Sequence, residues 1–155
     1  MTPRALFRRF AFAEMVTWAL LILGMVLKYV TKTTDLGVKV FGLAHGVVFL
    51  GYVLVTLAVW VNQRWPLRTA ALALAAAVPP FLTVWAEHRI ERQGLLDADD
   101  WRLGRGRETP QSLPERVVAW AIARPALAVV TGVVAVTATT AVLLWIGPPV
   151  PSQRG

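Results

Sequence analysis

An acid and a histidine stand inside otherwise apolar runs of this chain, and both could do chemistry there. Glu14 lies within Phe10–Leu27 and His45 within Val40–Val61. A carboxylate in such a run is costly unless it is paired or used, and an imidazole titrates near neutral pH. Together they could carry protons. His45 with His88, the second of the two histidines, could instead supply two axial ligands to a haem. Lys28 at the end of the first run, Tyr52 in the second, and Glu87 beside His88 complete a candidate polar site of six residues.

Other chemistries have no residues to carry them. There is no cysteine, which removes disulfides, thiolate nucleophiles, iron–sulfur clusters and covalently attached haem. No Gly-rich phosphate loop, HExxH or Ser/His/Asp order is present, so no catalytic residue and no metal site are expected. Asp97, Asp99 and Asp100 resemble a calcium-loop fragment only loosely and read as solvated charge.

The elements that position these groups are helices in lipid. Apolar residues make up 56% of the 155 and charged residues 16%, and the mean hydropathy is +0.56; a soluble domain carries about a quarter charged. Four long apolar runs recur, each near the roughly 20 residues that cross the hydrocarbon as helix. The expected fold is therefore all-α: a polytopic membrane protein of four transmembrane helices. Met1–Arg9 reads as a short basic arm before the first span, and Asn62–Arg68 as a tight return after the second. The third span, Thr69–Ala86, should be kinked at Pro79 and Pro80, which lack the N–H that a continuing helix needs. Residues 93–113, with Gly94, Gly104, Gly106 and Pro110, read as a flexible polar linker. Residues 114–147 hold an interfacial helix, Val117–Arg124, and a fourth span, Ala126–Ile146, before a tail at 148–155. Residues 1–92 form the three-helix membrane domain.

Helical periodicity assigns faces. At 100° per residue, Gly42, His45, Gly46, Phe49, Tyr52 and Thr56 fall within about 120° of one another. Glu14, Thr17, Trp18, Gly24 and Lys28 likewise share a side of the first span. Spans joined by a short loop are usually neighbours, so these faces should meet. Gly42 and Gly46, a GxxxG pair, are the expected close-packing positions, with Gly24 and the Pro79–Pro80 kink. Depth counted from Phe10 and Val40 puts Glu14 near one surface and His45 near the other. On that count His45 neighbours Lys28, Glu87 and His88, and Glu14 neighbours arginines.

The net charge of +7 comes from residues at span ends and in loops, where contact with anionic lipid explains it; no nucleic-acid partner is expected. Counting basic residues over four crossings favours termini outside.

Several segments resemble a known family. Ala13-Glu14-Met15, Leu27-Lys28-Tyr29, His45-Gly46-Val47-Val48-Phe49 and Val78-Pro79-Pro80-Phe81-Leu82-Thr83 with Glu87 look like the YdzA-like integral membrane family, domain of unknown function 3817. The resemblance covers about Arg8–Arg92. Members often carry proline where this chain has Val26 and glycine where it has Leu82. The resemblance implies a three-helix membrane unit with cytoplasmic termini, and it implies no activity.

The expectation is a non-enzymatic accessory or scaffold component of the bacterial plasma membrane. It would lie in the lipid bilayer as a homo-oligomer or against a membrane protein partner, without a cofactor. The alternatives are a small oligomeric proton-coupled transporter using Glu14 and His45, and a haem- or quinone-binding redox subunit.

Overall fold

The computed structural model describes residues 1–96, 100–104 and 107–146, all helix, turn or loop with no strand among them. Asp97, Asp99, Gly106 and the tail at 148–155 lie outside the described residues. Two compact units divide the chain, Met1–Thr109 and Pro110–Gly155.

The first unit is built on a pair of long helices. α1 runs Pro3–Met25 and continues as a π-helical stretch, Val26–Val30; α2 runs Leu36–Gln63. Both are long and apolar enough to cross a membrane. The sequence Met1–Arg9 is no arm: Thr2 caps α1 by accepting the Ala5 N–H at 3.1 Å, and Pro3 occupies a first-turn position where a missing N–H costs nothing. Helix therefore begins two turns before Phe10. At the other end, widening to i→i+5 bonding frees carbonyls. The Leu27 carbonyl is taken by the Thr33 N–H at 3.0 Å and by the Thr31 hydroxyl at 3.0 Å.

Register between α1 and α2 is set where their backbones touch. A Cβ on Gly24 would lie 2.8 Å from the Gly37 carbonyl carbon, so only glycine admits this approach. Gly51 lies against the Phe10 ring, 2.3 Å from where its Cβ would stand. Gly42 meets only the tip of Leu21 at 3.8 Å, and Gly46 meets nothing within 4 Å. The glycines that pack this pair are Gly24, Gly37 and Gly51, not the GxxxG pair.

The third apolar run departs from a kinked span. α3 covers only Leu67–Ala75, and α4, Leu82–Arg92, returns toward the end from which α3 set out. Pro79 and Pro80 offer no donors to the carbonyls one turn back, and the chain tightens ahead of them. Ala77 bonds Leu74 and Val78 bonds Ala75, both at 3.2 Å. Phe81 then takes a left-handed φ of 68°, and the helix restarts in reverse. The Trp65 indole N–H donates to the Leu95 carbonyl at 2.8 Å, joining the hairpin's ends, and Arg4 pairs with Glu91, tying the end of α4 to the start of α1. Thr83 donates to the Ala11 carbonyl at 2.9 Å. Antiparallel to α1, α4 thus covers only its N-terminal half.

The core sits at that end, around Phe7, Ala11, Tyr52, Val59, Trp65, Ala73, Ala77, Ile90 and Leu96. Described residues of the expected flexible linker belong to it. Leu96 and Leu103 are buried. The Trp101 indole donates to the Met1 carbonyl at 2.9 Å. Arg102 holds the last carbonyls of α2, Asn62 at 2.7 Å and Val61 at 3.1 Å, and the Asn62 side chain accepts the Leu103 N–H at 3.0 Å. A helix end whose carbonyls lack intrahelical donors recruits this segment, despite its glycines.

In the second unit, α5 spans Leu113–Ala123 and α6 spans Pro125–Ile146. Ser112 caps α5 while Glu115 accepts the Gln111 N–H at 2.8 Å. Pro125 breaks the chain, and α5 and the start of α6 are bent by 116°. Taking that bent pair as one span, the described residues offer up to three crossings.

Candidate functional site

Glu14 and His45 face each other. From the Gly24–Gly37 contact, eight residues forward along α2 reach His45 and eight back along α1 reach Val16, beside Thr17. The Glu14 Oε2 lies 3.5 Å from His45 Nδ1, and Thr17 Oγ1 lies 3.2 Å from the same nitrogen. The Thr17 hydroxyl also donates to the Glu14 backbone carbonyl at 3.1 Å. It has one hydrogen, so with that bond made the imidazole Nδ1 must be the donor toward Thr17.

The acid is enclosed. Glu14 is fully buried, and both its carboxylate oxygens lack a hydrogen-bond partner, as does the buried Trp18 indole nitrogen. The Trp18 ring centroid stands 4.5 Å from that of His45, tilted 55°, and Phe49 closes a further side at 6.3 Å. Glu14 is about 16 Å along α1 from Pro3, near the middle of the helical stretch Pro3–Val30. Depth counted from Phe10 and Val40 separates the two residues because both helices begin earlier and because the glycine contact, not the apolar boundary, sets their register.

Tyr52 lies one step toward the chain's N-terminal end. It is fully buried, with its ring 5.7 Å from Phe7, and donates to the Ala73 carbonyl at 2.9 Å. That carbonyl is free because Ala77, its helical donor, bonds Leu74 instead. Thr56 returns its hydroxyl to the Tyr52 carbonyl at 2.7 Å.

Glu87 and His88 form a separate cluster at the terminal end. Glu87 is buried, 2.9 Å from His88 Nδ1 and 3.9 Å from Arg8 Nε, and its Oε1 has no hydrogen-bond partner. Burial pushes the Glu87 carboxyl above its ordinary value, partly offset by His88. Lys28 is at the other end, with its ammonium 5.1 Å from the Tyr29 ring centroid. The six residues therefore fall in three places. His45 meets Glu14, and its expected neighbours Lys28, Glu87 and His88 are elsewhere. Thr17 and Arg8, which face His45 and Glu87, are nine residues apart on α1, about 13 Å along the axis.

Residues 4–92 match the family described as domain of unknown function DUF3817. The chain belongs to the DUF3817 family. Its match takes in α1 through α4 and all three polar places, and it ends before Trp101 and Arg102, which close the end of α2. The chain is 48% identical over 87 residues, 56% of its length, to membrane protein SCO5905 of Streptomyces coelicolor. That stretch is 10% of the relative's own length, so the chain spans a small part of it. No solved structure matches. This DUF3817 chain is a membrane protein with apolar helices able to span the bilayer.

Several residues that hold the DUF3817 unit together are not evident from periodicity. Thr83, Trp65 and Arg102 act through backbone carbonyls distant in sequence, and Asn62 through the distant Leu103 N–H. Arg4 and Glu91 pair across 87 positions. Their one local signal is that polar or indole groups fall near helix ends, where unpaired carbonyls occur.

Proposed function

We propose that this DUF3817 chain is a non-enzymatic component of the bacterial plasma membrane, packing an open helix face against itself or a larger membrane partner. The observation that carries this reading is the uncovered side of α2. Gly46 has nothing within 4 Å and Gly42 only one side-chain tip, while Leu43, Val47 and Leu50 are exposed beside them. Small residues flanked by exposed aliphatics are what close helix association in lipid uses. The similar stretch within the much longer SCO5905 supports a module that serves larger membrane assemblies.

The α3–α4 hairpin suggests an orientation. Entering and leaving at one end, it enters the bilayer without crossing. Arg4, Arg8, Arg9, Arg64, Arg68, Arg89, Arg92, Arg102 and Arg107 then gather at that end, against Lys28, Lys32 and Lys39 at the other. Basic residues favour the cytoplasm, so the N-terminal end faces the cytoplasm. The four-crossing count pointed the other way only because it sent the segment after Glu87 to the opposite side.

Mild purification of the native protein with mass spectrometry of companions tests the reading, together with cross-linking through Gly46→Cys. Cross-links to a second copy or to a co-purifying membrane protein support it. A lone monomer with no companion and no cross-link would overturn it.

A further inference from the structure

We infer that Glu14 and His45 form an intramembrane proton-binding site. The pair sets a fully buried carboxylate with two unpartnered oxygens 3.5 Å from an imidazole nitrogen. What this arrangement lacks is a hydrogen to satisfy the acid, and one proton supplies it. A metal cation would need several more oxygens than Glu14 and Thr17 present. In the uptake step a hydronium ion gives its proton to the pair, forming one new N–H or O–H bond and leaving water. Nothing is oxidised or reduced.

Few other groups compete. On α1 and α2 the remaining titratable neighbour is Tyr52, whose hydrogen is committed to Ala73. From α4 the nearest is Glu87, held by Arg8 and His88. α3 brings only Arg68, exposed in its first turn. Toward the N-terminal end the hydroxyls of Tyr52, Thr56 and Thr83 all donate to backbone carbonyls, and Phe7 is fully buried among them, so no free hydroxyl chain leads that way. The His45 side chain is 13% exposed.

Infrared difference spectra of the full chain in lipid nanodiscs, taken across a pH titration, test the site. The protonated-carboxyl signal should lose one component in Glu14→Gln that Glu87→Gln retains, the buried Glu87 carboxyl supplying a component of its own. In His45→Asn the carboxyl alone carries the proton, so the Glu14 component's midpoint should move by one pH unit or more, about tenfold in proton affinity. A carboxyl signal identical in Glu14→Gln and the native chain, with a component lost only in Glu87→Gln, would overturn the site. Should Glu14→Gln not insert, His45→Asn decides: an unmoved midpoint overturns it and a moved one supports it.

Discussion

The Trp65 indole N–H donates to the carbonyl of Leu95 across 2.8 Å, so the two ends of the α3–α4 hairpin lie side by side. Without that contact and the Arg4–Glu91 pair, an apolar run of this length would read as a crossing helix. With them it becomes a reversal.

Cysteine accessibility follows from this geometry. Because the chain has no cysteine, single substitutions report cleanly. Arg68→Cys and Arg92→Cys should react with an impermeant maleimide from the same side of sealed vesicles, and Thr33→Cys from the opposite side. Labelling of Arg92→Cys together with Thr33→Cys would restore a crossing third helix.

The two kinds of glycine should respond differently to alanine. At Gly24 the added methyl meets Gly37 backbone at 2.8 Å, which cannot swing aside, so Gly24→Ala should cost about 1–3 kcal/mol. Gly46→Ala enters open space and should leave the monomer's thermal unfolding in detergent unchanged. Equal losses at both positions would show that Gly46 is packed within the monomer.

Tyr52→Phe keeps the ring against Phe7 but leaves the Ala73 carbonyl buried without its donor. Removing one partner of a buried hydrogen bond costs about 1–3 kcal/mol. Unfolding followed in detergent should show a loss in that range, and no loss would mean water or Ala77 takes the carbonyl.

Glu87 gives the terminal cluster a pH dependence of definite sign. Its carboxyl lies above the ordinary 4.5 because it is buried, so the folded state holds the proton more tightly than the unfolded one. Its contribution is then most favourable below about pH 4.5 and is lost as pH rises through the raised folded value. Stability measured from acid toward neutral pH should fall across that window and should fall less in Glu87→Gln. A steeper fall in the variant would reverse the assignment.

Arg102 should matter through geometry as well as charge. Its guanidinium reaches Asn62 and Val61 carbonyls and Glu108 at once, a fork that lysine cannot reproduce. Arg102→Lys should therefore lose most of the stability that Arg102→Ala loses, judged by protease sensitivity after Leu96.

Some of this was settled by sequence alone. Long apolar runs can satisfy their backbone groups in lipid only as helix, so helices and membrane follow from composition. Pro79 and Pro80 announce a break for the same local reason, and Pro125 another. The 100° periodicity put Glu14, Thr17 and Trp18 on one face and His45 on another, and those faces meet. Tertiary structure decided what depends on register and reversal. Whether Glu14 reaches His45 turns on Gly24 touching Gly37, a contact between positions that periodicity ranks no higher than Gly42 and Gly46. Whether the third run crosses or returns turns on Phe81 taking a left-handed φ and on Trp65, Arg4 and Arg102 finding carbonyls and acids 30 to 87 positions away. Such choices are made by close packing between distant segments, and a one-dimensional pattern carries no distances.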